Sequence, residues 1–232
     1  MSKTQDHEQL LDADAFAVLI CDWCLEVSQG QQILVQTTTL AEELAAALHR
    51  AILERGGWPL LRLTPAGVEA DFYRHARELH FEGVAPIELA EAQDADASVR
   101  IIAPSSTAPL AEVDPAAVAR HALALEPIRA ARARRRWSLT IWPTQALADQ
   151  AGMALADYTR FLRRALFLDR PDPVAAWRAL REQQARVIER LAGAREVRIE
   201  GPGTDLSLAV SGRTWVNSDG RRNMPSGEVF TG

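Results

Sequence analysis

From Ile33 to Trp142 the chain alternates short β-prone runs with stretches whose apolar residues recur at helical spacing. Ile33 to Thr37 (ILVQT) reads as a strand. Leu44, Leu48 and Ile52 then stripe a helix over 40–55 that Gly56-Gly57 ends, and Trp58 to Leu63 (WPLLRL) is a second strand. Such a strand, helix, strand order calls for a parallel pair joined by a crossover. A polar helix over Val68 to His80 leads to a third strand, Ala97 to Ala103. Asp114-Pro115 opens a helix to about Arg134, and a fourth strand runs from Trp137 to Trp142. The pattern predicts an α/β fold, a parallel sheet with helices on both faces.

Local signals refine this outline. Ahead of the first strand, apolar residues at 16, 19, 20, 23, 24 and 27 predict an amphipathic helix ended by Gly30. Thr39, with Glu42 three residues on, predicts a capping box at the start of the helix over 40–55. Beyond Pro143 helices dominate, at Gln145 to Ala151, Ala154 to Leu168 and Pro173 to Leu191, with Asp169 to Pro173 as linker. Three β-prone runs follow, Glu196 to Glu200, Leu206 to Val210 and Thr214 to Val216, and they open a β-rich (α+β) region. We therefore expect two parts, an α/β domain with helical extension over 1–170 and, over 171–232, a linker helix and the beginning of a second, β-rich domain.

Composition narrows the function classes. A hydrophobic content of 47% with 25% charged residues suits a soluble globular chain. A net charge of -5 gives no overall attraction to a polyanion, which argues against a nucleic-acid partner. No run approaches the roughly 20 apolar residues that cross a bilayer, and the polar start lacks a signal-peptide core. The expectation is a cytoplasmic protein without a membrane partner.

Several constellations resolve into ordinary structure. Cys21-Asp22-Trp23-Cys24 has the spacing of redox and zinc motifs, but both cysteines fall on the apolar stripe of a helix and no second pair completes a zinc site, so they read as core. Arg129, Arg132, Arg134, Arg135 and Arg136 lie where a helix ends and suit the negative end of its dipole. His75 and His80, five apart on one expected helix, point some 140° from each other and do not converge.

One acid stands out. In Asn223-Met224-Pro225-Ser226-Gly227-Glu228-Val229-Phe230-Thr231, Pro225 sets one backbone angle and Gly227 relaxes another, so Glu228 leaves a defined corner where loop passes into strand. A carboxylate held at a strand start moves little, as a metal ligand requires.

The same stretch, preceded by Thr214-Trp215-Val216-Asn217-Ser218-Asp219-Gly220, resembles the metal-binding signature of the aminopeptidase T and aminopeptidase S group. Gly201-Pro202-Gly203-Thr204-Asp205-Leu206 and Phe167 to Trp177 extend the likeness, which is densest from about Leu147 onward. The resemblance implies a metallo-aminopeptidase. Its expected cofactors are two divalent metal ions, Zn, Co, Mn or Mg, which activate a water that hydrolyses the N-terminal peptide bond of a peptide substrate. It also implies a homodimer and assigns Glu228 as a metal ligand. In that group the other ligands, a second Glu, two His, a Tyr and an Asp, follow the Pro-x-Gly-Glu corner, and this sequence stops at Gly232. The chain alone is accordingly expected to be an incomplete, inactive portion. The rival expectation is a non-catalytic α/β domain that acts through protein association.

Overall fold

The computed structural model describes residues 11–232. Five parallel strands form its central sheet in the order β2-β1-β3-β4-β8, with β1 at Gln32–Thr38, β2 at Trp58–Thr64, β3 at Ala97–Ile102, β4 at Arg136–Ile141 and β8 at Asn223–Met224. The first four match the runs read from the sequence to within one residue at either end. The fifth comes from the far end of the chain. Leu139 pairs with Asn223 and Thr140 with Met224, and the Thr140 hydroxyl donates to the Met224 carbonyl at 2.7 Å.

Side chains alternate across this sheet, so each strand serves two faces. Ile33, Val35, Ala97, Val99, Ile101 and Met224 enter the principal core beneath helices α1 (Ala13–Leu19) and α2 (Glu42–Glu54). Trp177, from the long helix α10 (Pro173–Leu191), closes that core with no exposed surface, and its indole N–H donates to Leu166 O at 3.1 Å. Burying an aromatic of this size stabilises by roughly 3 kcal/mol. The opposite face carries Leu34, Gln36, Arg62, Arg100 and Ile102. It is roofed by α5 (Pro86–Asp94), α6 (Pro115–Ala124) and α7 (Glu126–Ala133), with α3 (Val68–His75) and the single turn α4 (Leu79–Glu82) beside them. Because β2 is an edge strand, Trp58 remains 68% exposed although its run is apolar.

Four local expectations change. The first helix does not run to Gly30: after Leu19 it widens into a π-helical stretch, Ile20–Leu25, and ends at Glu26, whose φ of 48° is left-handed. The Thr39–Glu42 capping box is absent, because a 3₁₀ turn at Thr39–Ala41 precedes α2 and the Thr38 hydroxyl accepts from Leu40 N. The helix expected over 68–80 breaks after His75, where Ala76 is extended. The helix from Asp114 divides at Leu125, beside Pro127, which cannot donate a helical hydrogen bond. Asp114 itself caps α6 as expected, accepting from Ala116 N at 2.9 Å.

Helices α8 (Gln145–Gln150) and α9 (Leu155–Ala165) connect the sheet to α10, whose bounds are those read from the sequence. An antiparallel hairpin, β5 (Glu196–Gly201) with β6 (Thr204–Ala209), turns at Pro202-Gly203, where φ at Gly203 is 75°. Finally β7 (Trp215–Ser218) pairs antiparallel with β9 (Glu228–Thr231), and β8 lies in the loop between them.

Candidate functional site

The corner that presents Glu228 is tied down from several directions. Ser218 and Glu228 are register partners, and Gly227 N donates to Ser218 O at 3.0 Å. The Ser218 and Ser226 hydroxyls lie 2.7 Å apart. Gly227 has a φ of 122°, which excludes a side chain in practice, and a Cβ there would also come 3.2 Å from Leu180. The Met224–Pro225 peptide bond is cis. On the other side of the loop Asn217 Nδ2 donates to Arg181 O at 3.0 Å, fastening β7 to α10.

Asp219 organises the loop that precedes Glu228. Its carboxylate is largely covered and lies 3.4 Å from Arg181 and 3.7 Å from Arg221. Its carbonyl accepts the Trp23 indole N–H at 2.9 Å, and the Arg221 guanidinium sits 4.9 Å from the centre of the Trp23 ring. Sequence reasoning did not single out Asp219 or Arg221. The Ser-Asp-Gly turn signal was there, but Arg181 lies 38 residues away and Trp23 and Glu26 nearly 200, beyond the reach of any local pattern.

Glu228 itself is exposed at the first position of β9, and its carboxylate has no side-chain partner among the described residues. The backbone thus fixes the point from which its side chain starts. The donor set does not follow. Among the described residues no three His, Cys, Asp or Glu side chains cluster to hold a metal ion, and the neighbouring Asp219 is engaged by two arginines. One carboxylate provides too few donors for a divalent ion, which takes at least four ligands. The described residues therefore do not make a metal centre on their own.

The other expectations are placed as follows. Cys21 and Cys24 are free and buried, and burial pushes both thiols up to about 12. Their position in a π-helical stretch, with Cys24 Sγ 3.5 Å from Gly220 O, makes them packing elements of the core. Most of the arginine run sits at the end of α7 as expected, with Arg129 in the helix, Arg132 in its last turn and Arg134 as its C-cap. Arg135 then donates to Gln93 O at 2.9 Å, and Arg136 departs from the expectation: it begins β4 and pairs with Glu26. That pairing, first through its hydrogen bond, holds the Glu26 carboxyl below its ordinary range. His75 and His80 belong to different helices and do not meet at a metal cluster.

This arrangement defines an α/β protein whose last strands are stitched back onto the first helix and present a single acid at a rigid corner. Residues 10–232 match the family described as thermophilic metalloprotease (M29), and the chain belongs to that family. It is 27% identical to Aminopeptidase 2 of Geobacillus stearothermophilus over 250 aligned positions, which cover 95% of this chain and 60% of that protein. Its fold is similar to that of wild-type AmpT from Thermus thermophilus, with a TM-score of 0.71 at 21% identity, covering 98% of this chain and 61% of the other. The chain thus spans about three-fifths of the length of these relatives. No helix among the described residues is long and apolar enough to cross a membrane.

Proposed function

We propose that this chain is the scaffold portion of a metal-dependent aminopeptidase and contributes Glu228 to a metal centre whose remaining donors lie outside the described residues. The observation that carries the reading is the Pro225-Ser226-Gly227-Glu228 corner, held by Ser218, Leu180 and the sheet, in a chain of the M29 family. Residues 1–170 form the α/β scaffold and residues 171–232 lead into the metal-binding part, with β8 as the stitch between them. The substrate is a peptide with a free N-terminus, the assembled enzyme is a cytoplasmic homodimer, and the cofactor is a pair of divalent ions. No catalytic step is assigned to the residues of this chain.

A second reading, a non-catalytic association module, is favoured by the β5–β6 hairpin, which leaves Ile199, Leu206 and Leu208 exposed. Calorimetric titration of residues 1–232 with Zn²⁺ and Co²⁺, beside an amino-acid anilide assay, separates the two. Metal-dependent turnover by residues 1–232 alone would overturn the view that donors are missing. In the assembled enzyme, where the remaining donors are present, Glu228→Gln is expected to weaken metal affinity by roughly tenfold or more. Equal affinity in the two forms of the assembled enzyme removes Glu228 from the centre, and self-association of a chain whose assembled form binds no metal favours the second reading.

A further inference from the structure

The face of the sheet turned away from the principal core opens into a cleft of about 470 Å³, within the size range of small-ligand sites. Its floor is Leu34, Gln36, Arg62, Arg100 and Ile102, and its roof includes Ile128, Arg129 and Arg132 of α7. It reaches the carboxyl ends of three neighbouring strands, at Thr38, Thr64 and Ala103. The strand order there is β2-β1-β3, so β1 is followed in the chain by its neighbour on one side and next by its neighbour on the other. That reversal is the place where open parallel sheets leave a crevice for ligands.

The charges in the cleft are not balanced in pairs. Arg62 is committed to Glu88 at 3.2 Å and Glu91 at 2.6 Å, and Arg129 faces Glu126 at 3.8 Å. Glu69 lies on the rim. Arg100 and Arg132 have no acid or hydrogen-bond partner among the described residues, and each is in the field of the other. Burial, and then the charge of Arg100, pull the Arg132 guanidinium below its ordinary range. Arg100 and Arg132, with Arg129, also line an adjoining groove of about 280 Å³ floored by Trp137 and Leu139. Arg132 is half-buried and Arg100 exposed, and the repulsion between these two like charges lining one cleft is relieved when an anion is placed against both.

We propose that this cleft binds a small dianionic oxyanion, a phosphate-bearing or dicarboxylate molecule, with Arg100 and Arg132 as the paired recognition groups. Guanidinium forks suit planar or tetrahedral oxyanions, because each offers two parallel donors. Arg100 stands on a central strand, in register with Gln36 of β1, so one of the two groups starts from a rigid position. The occupied Arg62–Glu88–Glu91 cluster and the rim acid Glu69 restrict the free positive charge to one end of the cleft, which selects a compact anion over an extended polyanion.

The test uses residues 1–232 in chelator at constant ionic strength, titrated calorimetrically with inorganic phosphate and separately with succinate, with chloride as control. One-site saturation by phosphate or by succinate, at a dissociation constant below roughly 10 mM, is expected, and the anion that saturates identifies the ligand class. Arg100→Met and Arg132→Met should each weaken that binding by about tenfold or more, while Arg132→Lys, which keeps the charge without the fork, falls between. Arg160→Met, in a separate arginine-rich depression beside α9, should leave it unchanged. Melting curves of each variant establish that it is folded. Failure of both dianions to saturate, or equal losses in Arg160→Met and the two cleft variants, overturns the proposal. Since no metal and no Glu228 enters the measurement, its result is independent of the peptidase reading.

Discussion

The indole N–H of Trp23 donates to the carbonyl of Asp219 at 2.9 Å, joining positions 196 residues apart in the sequence. One residue further on, Cys24 Sγ approaches the Gly220 carbonyl at 3.5 Å. A π-helical stretch near the start of the chain thereby fixes the loop that leads into Glu228. The unusual helix has a structural use, since it sets Trp23 and Cys24 against two successive carbonyls, those of Asp219 and Gly220.

Gly220 should be the least substitutable glycine in the chain. Its φ is 84°, and a Cβ there would stand 2.9 Å from two ring atoms of Trp177 and 3.0 Å from the Met224 methyl. Gly220→Ala combines backbone strain with overpacking, and we expect it to cost about 3 kcal/mol in chemical unfolding. Gly152→Ala provides the comparison, because its φ of 65° has open space around it. A loss at Gly220 no larger than at Gly152 would show that Trp177 moves aside freely.

Trp177→Ala should destabilise by about 4 kcal/mol, the range for emptying a large aromatic site. The side chain is fully buried, its ring lies 5.0 Å from that of Phe167, and it meets Gly220 and the Leu166 carbonyl. Urea melts of the purified variant measure this. A change below 1 kcal/mol would mean that α10 is not docked on the core as described.

The two cysteines should be chemically silent in the folded chain. With both thiols raised to about 12, almost no thiolate exists near neutrality, and iodoacetamide should label them only after unfolding. The folded state holds these protons more tightly than the unfolded state, whose thiols titrate near 9. Their contribution to stability is therefore complete below about pH 9 and declines as pH rises from there towards 12. Cys21→Ala with Cys24→Ala should cost a few kcal/mol at most and flatten that alkaline decline. Rapid native labelling would contradict the burial.

Glu26 works in the opposite direction. Its carboxyl is held low, first by the hydrogen bond from Arg136, so its contribution is present above the ordinary carboxylate pKa and fades as pH falls through the depressed value. Comparing urea midpoints at neutral and acid pH, Glu26→Gln should lose less stability on acidification than the parent chain. An equal loss would leave the Arg136 and Arg221 contacts without thermodynamic weight.

Much of the scaffold was legible residue by residue. The run Ile33 to Thr37 became β1, Asp114 capped α6, and Pro173 to Leu191 bounded α10. Where the reading failed, neighbours outvoted local signals. Gly30 could have ended the first helix, yet the helix stopped earlier, at a left-handed Glu26 whose carboxylate is gripped by Arg136 and Arg221. At the candidate site the corner bearing Glu228 was visible, because proline and glycine act through their own backbone angles. The grip of Asp219 by Arg181 and Arg221 was not.

The amino-acid sequence by itself determined which segments become strands and helices, because apolar periodicity, caps and turn residues operate within a few positions of one another. Only the tertiary structure decided that Asn223 and Met224 would travel back to form the fifth strand beside β4. It likewise decided that Trp23 would hold the carbonyl of Asp219 and that Arg100 and Arg132 would line one cleft. Those outcomes depend on which distant groups are brought within a hydrogen bond or a Coulomb radius, and that distance exists only once the chain has folded.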